Sequence, residues 1–432
     1  MGIDGGERPR LRGAPRRLDR RTARAPKLSN TCSASAQMTN TAAQPHRDPP
    51  RRADNGVMDG RVLVVGAGIA GLAVANALHR YGLDAVVVDR LTGPPDAGLA
   101  LNLPANGVRA LGALGFADAV DQLGEPVRRR EYRNARGKLL FAVDEAAFWG
   151  DGAGSRCVRR ADLHAMLASG VPAETVRWDT PVDDLRLVDD KALVGDEGWD
   201  FVVGADGVRS AVRAAAFGQQ PLRSGLLSAA SWRFMAPNPG VECWTVWSGS
   251  TGTLLLIPAG DNEVYGYASA TRGGATGSGP AWLTTTFAEF PSPVRTVVAH
   301  VAGGAGVLYH SPVEEVRIPR WSKGRVVLIG DAAHATAPVW AQGGALAVED
   351  ALVLAELLST ETDWTSIGVR YELRRRPRVE HVQAMTDRLS HAARLPAWLR
   401  DIVVPRTGPR TYTATYEALR APVLHTAGPP AM

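Results

Sequence analysis

Cysteine is scarce in this chain: Cys32, Cys157 and Cys243 are the only three in 432 residues. They lie far apart, are odd in number and form no Cys-x-x-Cys pair. That excludes a disulfide-stapled scaffold and a cysteine metal cage, and it fits a reducing, cytoplasmic compartment. Long apolar runs are also missing. Only residues 61–78 approach membrane-spanning length, and their three glycines mark a buried core segment, so no membrane span is expected. No apolar segment of the signal-peptide kind precedes them. With 45% hydrophobic and 22% charged residues the chain is an ordinary globular one, long enough for two or three domains.

No sign of charge dominates, and the small excess of +5 is unevenly placed. Residues 1–57 hold eleven Arg and one Lys against five acids, a local +7, so the rest of the chain carries −2. This first segment is rich in Arg, Pro and Ala and almost free of aromatic and β-branched residues. It cannot bury enough apolar surface to fold and is expected to be a disordered basic tail ahead of Met58. A transit peptide and an arm for anionic surfaces are the competing readings. The remaining chain gives no electrostatic reason to expect nucleic acid.

Residues 61–65 form a short β-branched strand, followed by Gly66-Ala67-Gly68-Ile69-Ala70-Gly71 and a helix-compatible run to Arg80. Gly82 ends the run, and a second strand leads into Asp89. This is a βαβ unit with the G-x-G-x-x-G fingerprint in its required context. Gly66 permits the tight turn, Gly68 lets a pyrophosphate approach the backbone, and Gly71 lets helix and strand pack closely. The helix N-terminus offers N–H groups and partial positive charge to phosphate. Asp89 is placed to accept hydrogen bonds from a ribose.

Two more strand-to-turn motifs follow. One is Gly204-Ala205-Asp206-Gly207-Val208-Arg209-Ser210. The other is Gly330-Asp331-Ala332-Ala333-His334-Ala335-Thr336-Ala337-Pro338, which continues through Trp340-Ala341-Gln342-Gly343-Gly344 into a buried helix. With the fingerprint, these three motifs in this order and spacing resemble the single-component, short-form FAD-dependent aromatic hydroxylases of the p-hydroxybenzoate hydroxylase type. Lesser matches are Pro104-Ala105-Asn106, Arg160-Ala161-Asp162-Leu163 and Tyr371-Glu372 with Arg375-Arg376-Pro377-Arg378. The likeness covers residue 58 to about 395.

The resemblance implies an α/β fold: a discontinuous Rossmann-like FAD-binding domain (58–224 and 316–400) with an inserted, mostly antiparallel β-sheet substrate domain (225–315). Residues 401–432 remain as a C-terminal extension. FAD would be held by Gly66, Gly68, Gly71, Asp89, Arg90, Arg160, Asp206, Asp331, Gln342, Gly343 and Gly344. Asp331 would take the ribityl chain, and Asp206 with Arg209 would sit at a motif shared between FAD and NAD(P)H binding. The loop 341–344 would aim a helix N-terminus at the pyrimidine edge of the flavin, where the reduced ring carries negative charge. The family usually has Gly-Gln-Gly-x-Asn here; this chain has Ala341 first and lacks the Asn. Taken alone, Arg160 reads as a surface ion-pair residue rather than a ligand, and His334 as a structural loop residue rather than a base.

Residues 225–318 alternate in the manner of antiparallel strands, with a Gly-rich loop at 271–281. In the resembling family this sheet roofs the substrate cavity. Trp232, Trp244, Trp247 and Trp282 are candidates for an aromatic lining or for plain core, and Trp340, beside the expected flavin face, is the sharper candidate for the substrate pocket. NADPH or NADH would reduce FAD as a transient co-substrate without a second fingerprint domain. Oxygen would then reach a small aromatic or polycyclic substrate, by hydroxylation or epoxidation, through a flavin C4a-hydroperoxide. No catalytic acid or base is identified; His300, His310 and Tyr265 cannot be placed from sequence. No metal is implied, and the oligomeric state is open. A halogenase or reductase on the same fold, or a non-catalytic FAD-binding protein, are the alternatives, although the halogenase Trp-x-Trp-x-Ile-Pro motif is missing.

Overall fold

In the computed structural model, residues 60–424 are described except 95–97, 151–153, 189–190, 272–276 and 394. The expected basic tail, Cys32 and residues 272–276 of the Gly-rich loop fall outside the described residues. Val62–Val65 is the centre of a six-stranded sheet ordered Ser322–Lys323, Val326–Leu328, Phe201–Gly204, Val62–Val65, Ala85–Val88, Val176–Arg177. Every pair is parallel except the first. Parallel strands are covered on both faces, which is why Val62–Val65 reads as an unbroken β-branched run rather than an alternation. Each such fully buried side chain contributes roughly 1.5–3 kcal/mol of apolar burial.

Helix Ile69–Arg80 crosses from the first strand to its neighbour and packs on helix Gly343–Thr360. That second helix is buried almost all round, acids included. Its carboxylates must therefore be paired. Glu349 meets Arg375 at 3.0 Å and Arg378 at 2.8 Å, Asp350 meets Arg375 at 2.7 Å, and Glu356 meets Arg374 at 2.6 Å. All three arginines come from helix Ile367–Ala392.

The substrate-side sheet has seven strands ordered Leu308–Pro312, Ala230–Pro237, Glu263–Ala270, Gly252–Pro258, Trp244–Ser248, Arg129–Asn134, Leu139–Asp144. It is antiparallel apart from one parallel pair, Trp244–Ser248 with Arg129–Asn134. The expected boundaries need correcting here. Residues 129–144, expected within the FAD-binding segment, supply the last two strands of this sheet. The expected C-terminal extension begins inside helix Ala397–Tyr416, which packs on Leu139–Asp144.

Helices Ala281–Thr286 and Ser292–Ala302 back one face of the seven-stranded sheet. Strand alternation decides which aromatics meet them. Trp232 and Trp247 join Phe234, Leu254, Leu256 and Val264 in that helix-backed core. Trp282 sits on a helix, against Phe287. Trp244 alone of the four candidate tryptophans turns to the opposite face, packed with Met235, Ile257, Tyr265 and Cys157.

Candidate active site

The fingerprint turn is built around close backbone approaches. Gly66 has φ +108°, and its N–H donates to Val88 O at 2.7 Å. A Cβ on Gly71 would fall 1.7 Å from Gly66 O, so only glycine fits. A Cβ on Gly68 would meet nothing within 4 Å: the backbone at the helix start faces open space. Asp89 accepts the Ala67 N–H at 2.7 Å and the Leu91 N–H at 2.9 Å. A carboxylate offers about four lone-pair sites, so two remain for a ribose. Arg90 is exposed beside it.

The Gly330-Asp331 turn is pinned from beneath. Asp350 accepts the Gly330 N–H at 2.9 Å and holds His334 Nε2 at 2.7 Å. Burial pushes the Asp350 carboxyl up, but His334 and Arg375 outweigh it and hold it at about 2. His334 is thereby committed to a buried structural contact, while Asp331 is left exposed at the surface of the turn. Its Oδ1 lies 3.5 Å from where a Cβ on Gly343 would be, and a Cβ on Gly344 would meet nothing. Gly68 and Gly344 thus bare their backbone to open space at two helix starts, Gly343 meets only the Asp331 carboxylate, and Asp89 and Asp331 stand beside these starts. This donor set fits a flavin dinucleotide: N–H groups for phosphates and carboxylates for sugar hydroxyls.

Other expected ligands are placed differently. Gln342 is 3% exposed, and its side chain exchanges hydrogen bonds with Asn106 at 3.0 and 3.1 Å, which commits it to a buried structural contact. Asn106 also donates to Glu349 at 2.9 Å, tying helix Ala105–Leu111 to this loop. Asp206 caps helix Ala211–Phe217 through Ala211 N at 2.7 Å and Val212 N at 3.2 Å. Its other oxygen is buried without a partner, and burial raises its pKa. Arg209 is exposed and pairs with Glu314 at 3.4 Å. Arg160 is exposed at a helix start, close enough for its charge to act on Tyr265.

Trp340 is 6% exposed, its indole N–H has no partner, and its ring meets Tyr416 edge-on at 5.9 Å. Tyr416 touches Arg130, which lies 5.2 Å over Trp244, which in turn sits 5.2 Å from Tyr132. The loop carrying Trp340 is therefore linked by contacts to the free face of the seven-stranded sheet.

That face carries residues the motifs did not reveal. Arg233, Tyr267, Leu255, Val246, Tyr132 and Phe141 are successive register partners across six strands. All six are only partly buried, while most of their strand neighbours are fully buried. Two residues along on the same face, Ser231 and Ser269 are buried register partners beside Tyr267. Burial pushes Tyr265 up to about 12 and Tyr267 upward too, so both are neutral phenols that can share hydrogen bonds but not act as bases. The alternation of Ser231-Trp232-Arg233-Phe234-Met235 held the signal for Arg233, since it puts Arg233 opposite the two aromatics. His310, on the edge strand, meets Trp232 at 4.5 Å, and His300 closes helix Ser292–Ala302.

Comparison with known proteins shows the family of the chain. The family model described as FAD binding domain matches residues 59–176 and 198–386. The 3-amino-4-hydroxybenzoate 2-monooxygenase of Streptomyces cremeus is 31% identical over 78% of this chain and 89% of its own length. The 2-heptyl-3-hydroxy-4(1H)-quinolone synthase of Pseudomonas aeruginosa is 31% identical over 68% of this chain and 80% of its own. The fold matches the solved structure of Klebsiella pneumoniae HpxO complexed with FAD and uric acid, with TM-score 0.76 at 23% identity over 86% of this chain and 100% of that one. The chain belongs to the FAD-binding family of flavin-dependent aromatic monooxygenases and hydroxylases.

Proposed function

We propose that this protein uses NAD(P)H and oxygen to hydroxylate or epoxidise a planar, ring-containing substrate lying between the 338–344 loop and the free face of the seven-stranded sheet. The row from Arg233 to Tyr132 carries this reading: one cation, two phenols and apolar side chains, all partly open on strands whose neighbouring positions are mostly buried. FAD, when bound, supplies electron transfer from the nicotinamide and activation of oxygen.

The chain's own residues do the rest. Arg233 and Tyr267 would hold a polar or anionic edge of the substrate, and Leu255, Val246 and Tyr132 would cover its apolar face. Trp340 would close the side of the pocket, with its indole N–H free for a substrate acceptor. Asp89, Asp331 and the backbone of Gly68, Gly343 and Gly344 would fix the dinucleotide. Among the described residues no helix is long and apolar enough to cross a membrane; a cytoplasmic location is part of this proposal. The relatives named above carry benzoate and quinolone in their names, and one neighbour holds uric acid, all planar and oxygenated.

The test is a panel of aminohydroxybenzoates, quinolones and purines, scored for stimulated NAD(P)H oxidation with product and peroxide quantified. Stimulation with hydroxylated product supports the reading. Halide-dependent product would move it to a halogenase, and bound flavin without stimulation would move it to a binding protein.

A further inference from the structure

The C-terminal helix reaches the flavin-facing loop through Tyr416, whose ring packs edge-on against Trp340. The Tyr416 hydroxyl donates to the Trp340 carbonyl at 3.0 Å. The peptide it holds leads directly into Ala341, whose φ of +55° and ψ of 31° are left-handed. A residue with a Cβ is strained there, and the family pattern places glycine at this position. Ala341 is followed by Gln342, the N-cap of helix Gly343–Thr360. The direction of that helix start therefore depends on a strained turn and on what restrains it.

Tyr416 is itself held firmly. Its oxygen accepts from Arg130 at 3.3 Å, which polarises the O–H it donates. Arg130 is ion-paired with Glu145, which accepts from Ser155 at 2.7 Å and Tyr412 at 2.6 Å. Arg130 is 2% and Glu145 0% exposed, so the cluster is dry and well fixed. Arg130 and Glu145 belong to the substrate-side sheet and the helix after it, Tyr412 and Tyr416 to the C-terminal helix.

We propose that Tyr416 is a positioning residue for the flavin-facing loop: by holding the Trp340 carbonyl it keeps the strained Ala341 turn in place and aims the helix start Gly343–Gly344 at the flavin. This rests on the reading that residues 341–344 face the pyrimidine edge of FAD. A positive helix end there favours the reduced, negatively charged ring. A released loop therefore shifts the midpoint potential of bound flavin to more negative values.

The experiment measures that potential, and the visible flavin spectrum, on substrate-free holoprotein. Tyr416→Phe keeps the ring and removes only the hydroxyl. It is expected to lower the potential, and adding Ala341→Gly, which removes the strain, is expected to restore it at least in part. Tyr412→Phe removes a hydroxyl from the same cluster that does not touch the loop; it is expected to shift the unfolding temperature and leave the potential in place. A Tyr416→Phe holoprotein with unchanged potential and spectrum overturns the positioning role. So does a shift that Tyr412→Phe reproduces in full, which would mark general loosening. A wild-type chain that takes up no FAD would instead overturn the functional reading beneath it.

Discussion

Removing the Glu145 carboxylate is the sharpest perturbation of the junction between sheet, C-terminal helix and flavin loop. Glu145 is fully buried, ion-pairs with Arg130 and accepts hydrogen bonds from Ser155 and Tyr412. Burial pushes the Arg130 pKa down, but Glu145 outweighs it and raises it well above the ordinary value, so Arg130 stays charged. Glu145→Ala leaves that charge dry and unpaired, a change that costs about 3–5 kcal/mol. Against a total stability of about 5–15 kcal/mol, this is a large fraction. The assay is urea unfolding of the holoprotein followed by flavin release and by far-ultraviolet dichroism. Glu145→Leu combined with Arg130→Met should be distinctly more stable than either single change, because it removes both charges and fills their space. A Glu145→Ala loss below about 1 kcal/mol, or a double variant whose loss equals the sum of the singles, would refute the claim that the pair is buried and coupled.

Three further outcomes follow from the geometry. Gly71→Ala should prevent FAD incorporation and soluble expression, since the new Cβ meets Gly66 O at 1.7 Å and backbone cannot yield; flavin content after purification reads this out. Asp350 is held at about 2 against an ordinary 3.8. A depressed carboxyl contributes stability that is fully present above pH 3.8 and is lost as the pH falls towards 2, here about 2 kcal/mol; His334→Asn should narrow that loss in acid unfolding curves. Trp340→Ala should change substrate affinity or raise peroxide release while FAD stays bound, and an unchanged substrate profile would remove Trp340 from the pocket.

The glycine fingerprint was legible because its chemistry is local. Gly66, Gly68 and Gly71 each answer to backbone geometry within a few residues, and their strands are apolar on both faces. The tryptophans of the middle domain were legible only as a pair of possibilities. Counting them could not say that Trp232 and Trp247 face the backing helices while Trp244 faces the opposite side, because strand parity depends on register. Strands 129–134 and 139–144 were misplaced for a related reason: a parallel pairing with Trp244–Ser248 across more than 100 residues leaves no local mark. The Tyr416 contact was hidden in the same way. Helix Ala397–Tyr416 contains Pro405 and Pro409, which in sequence argue against a continuous helix. The departure at Ala341 was visible in sequence, but its left-handed backbone appeared only in the structure.

The central claim is tested most directly by the fate of oxygen. Purified holoprotein is given NAD(P)H, isotopically labelled dioxygen and a planar aromatic substrate that stimulates NAD(P)H oxidation, and the product is weighed by mass spectrometry. The account predicts one labelled oxygen atom per product molecule. Stimulated oxidation that yields only peroxide or unlabelled product, across a panel broad enough to include benzoates, quinolones and purines, would contradict it.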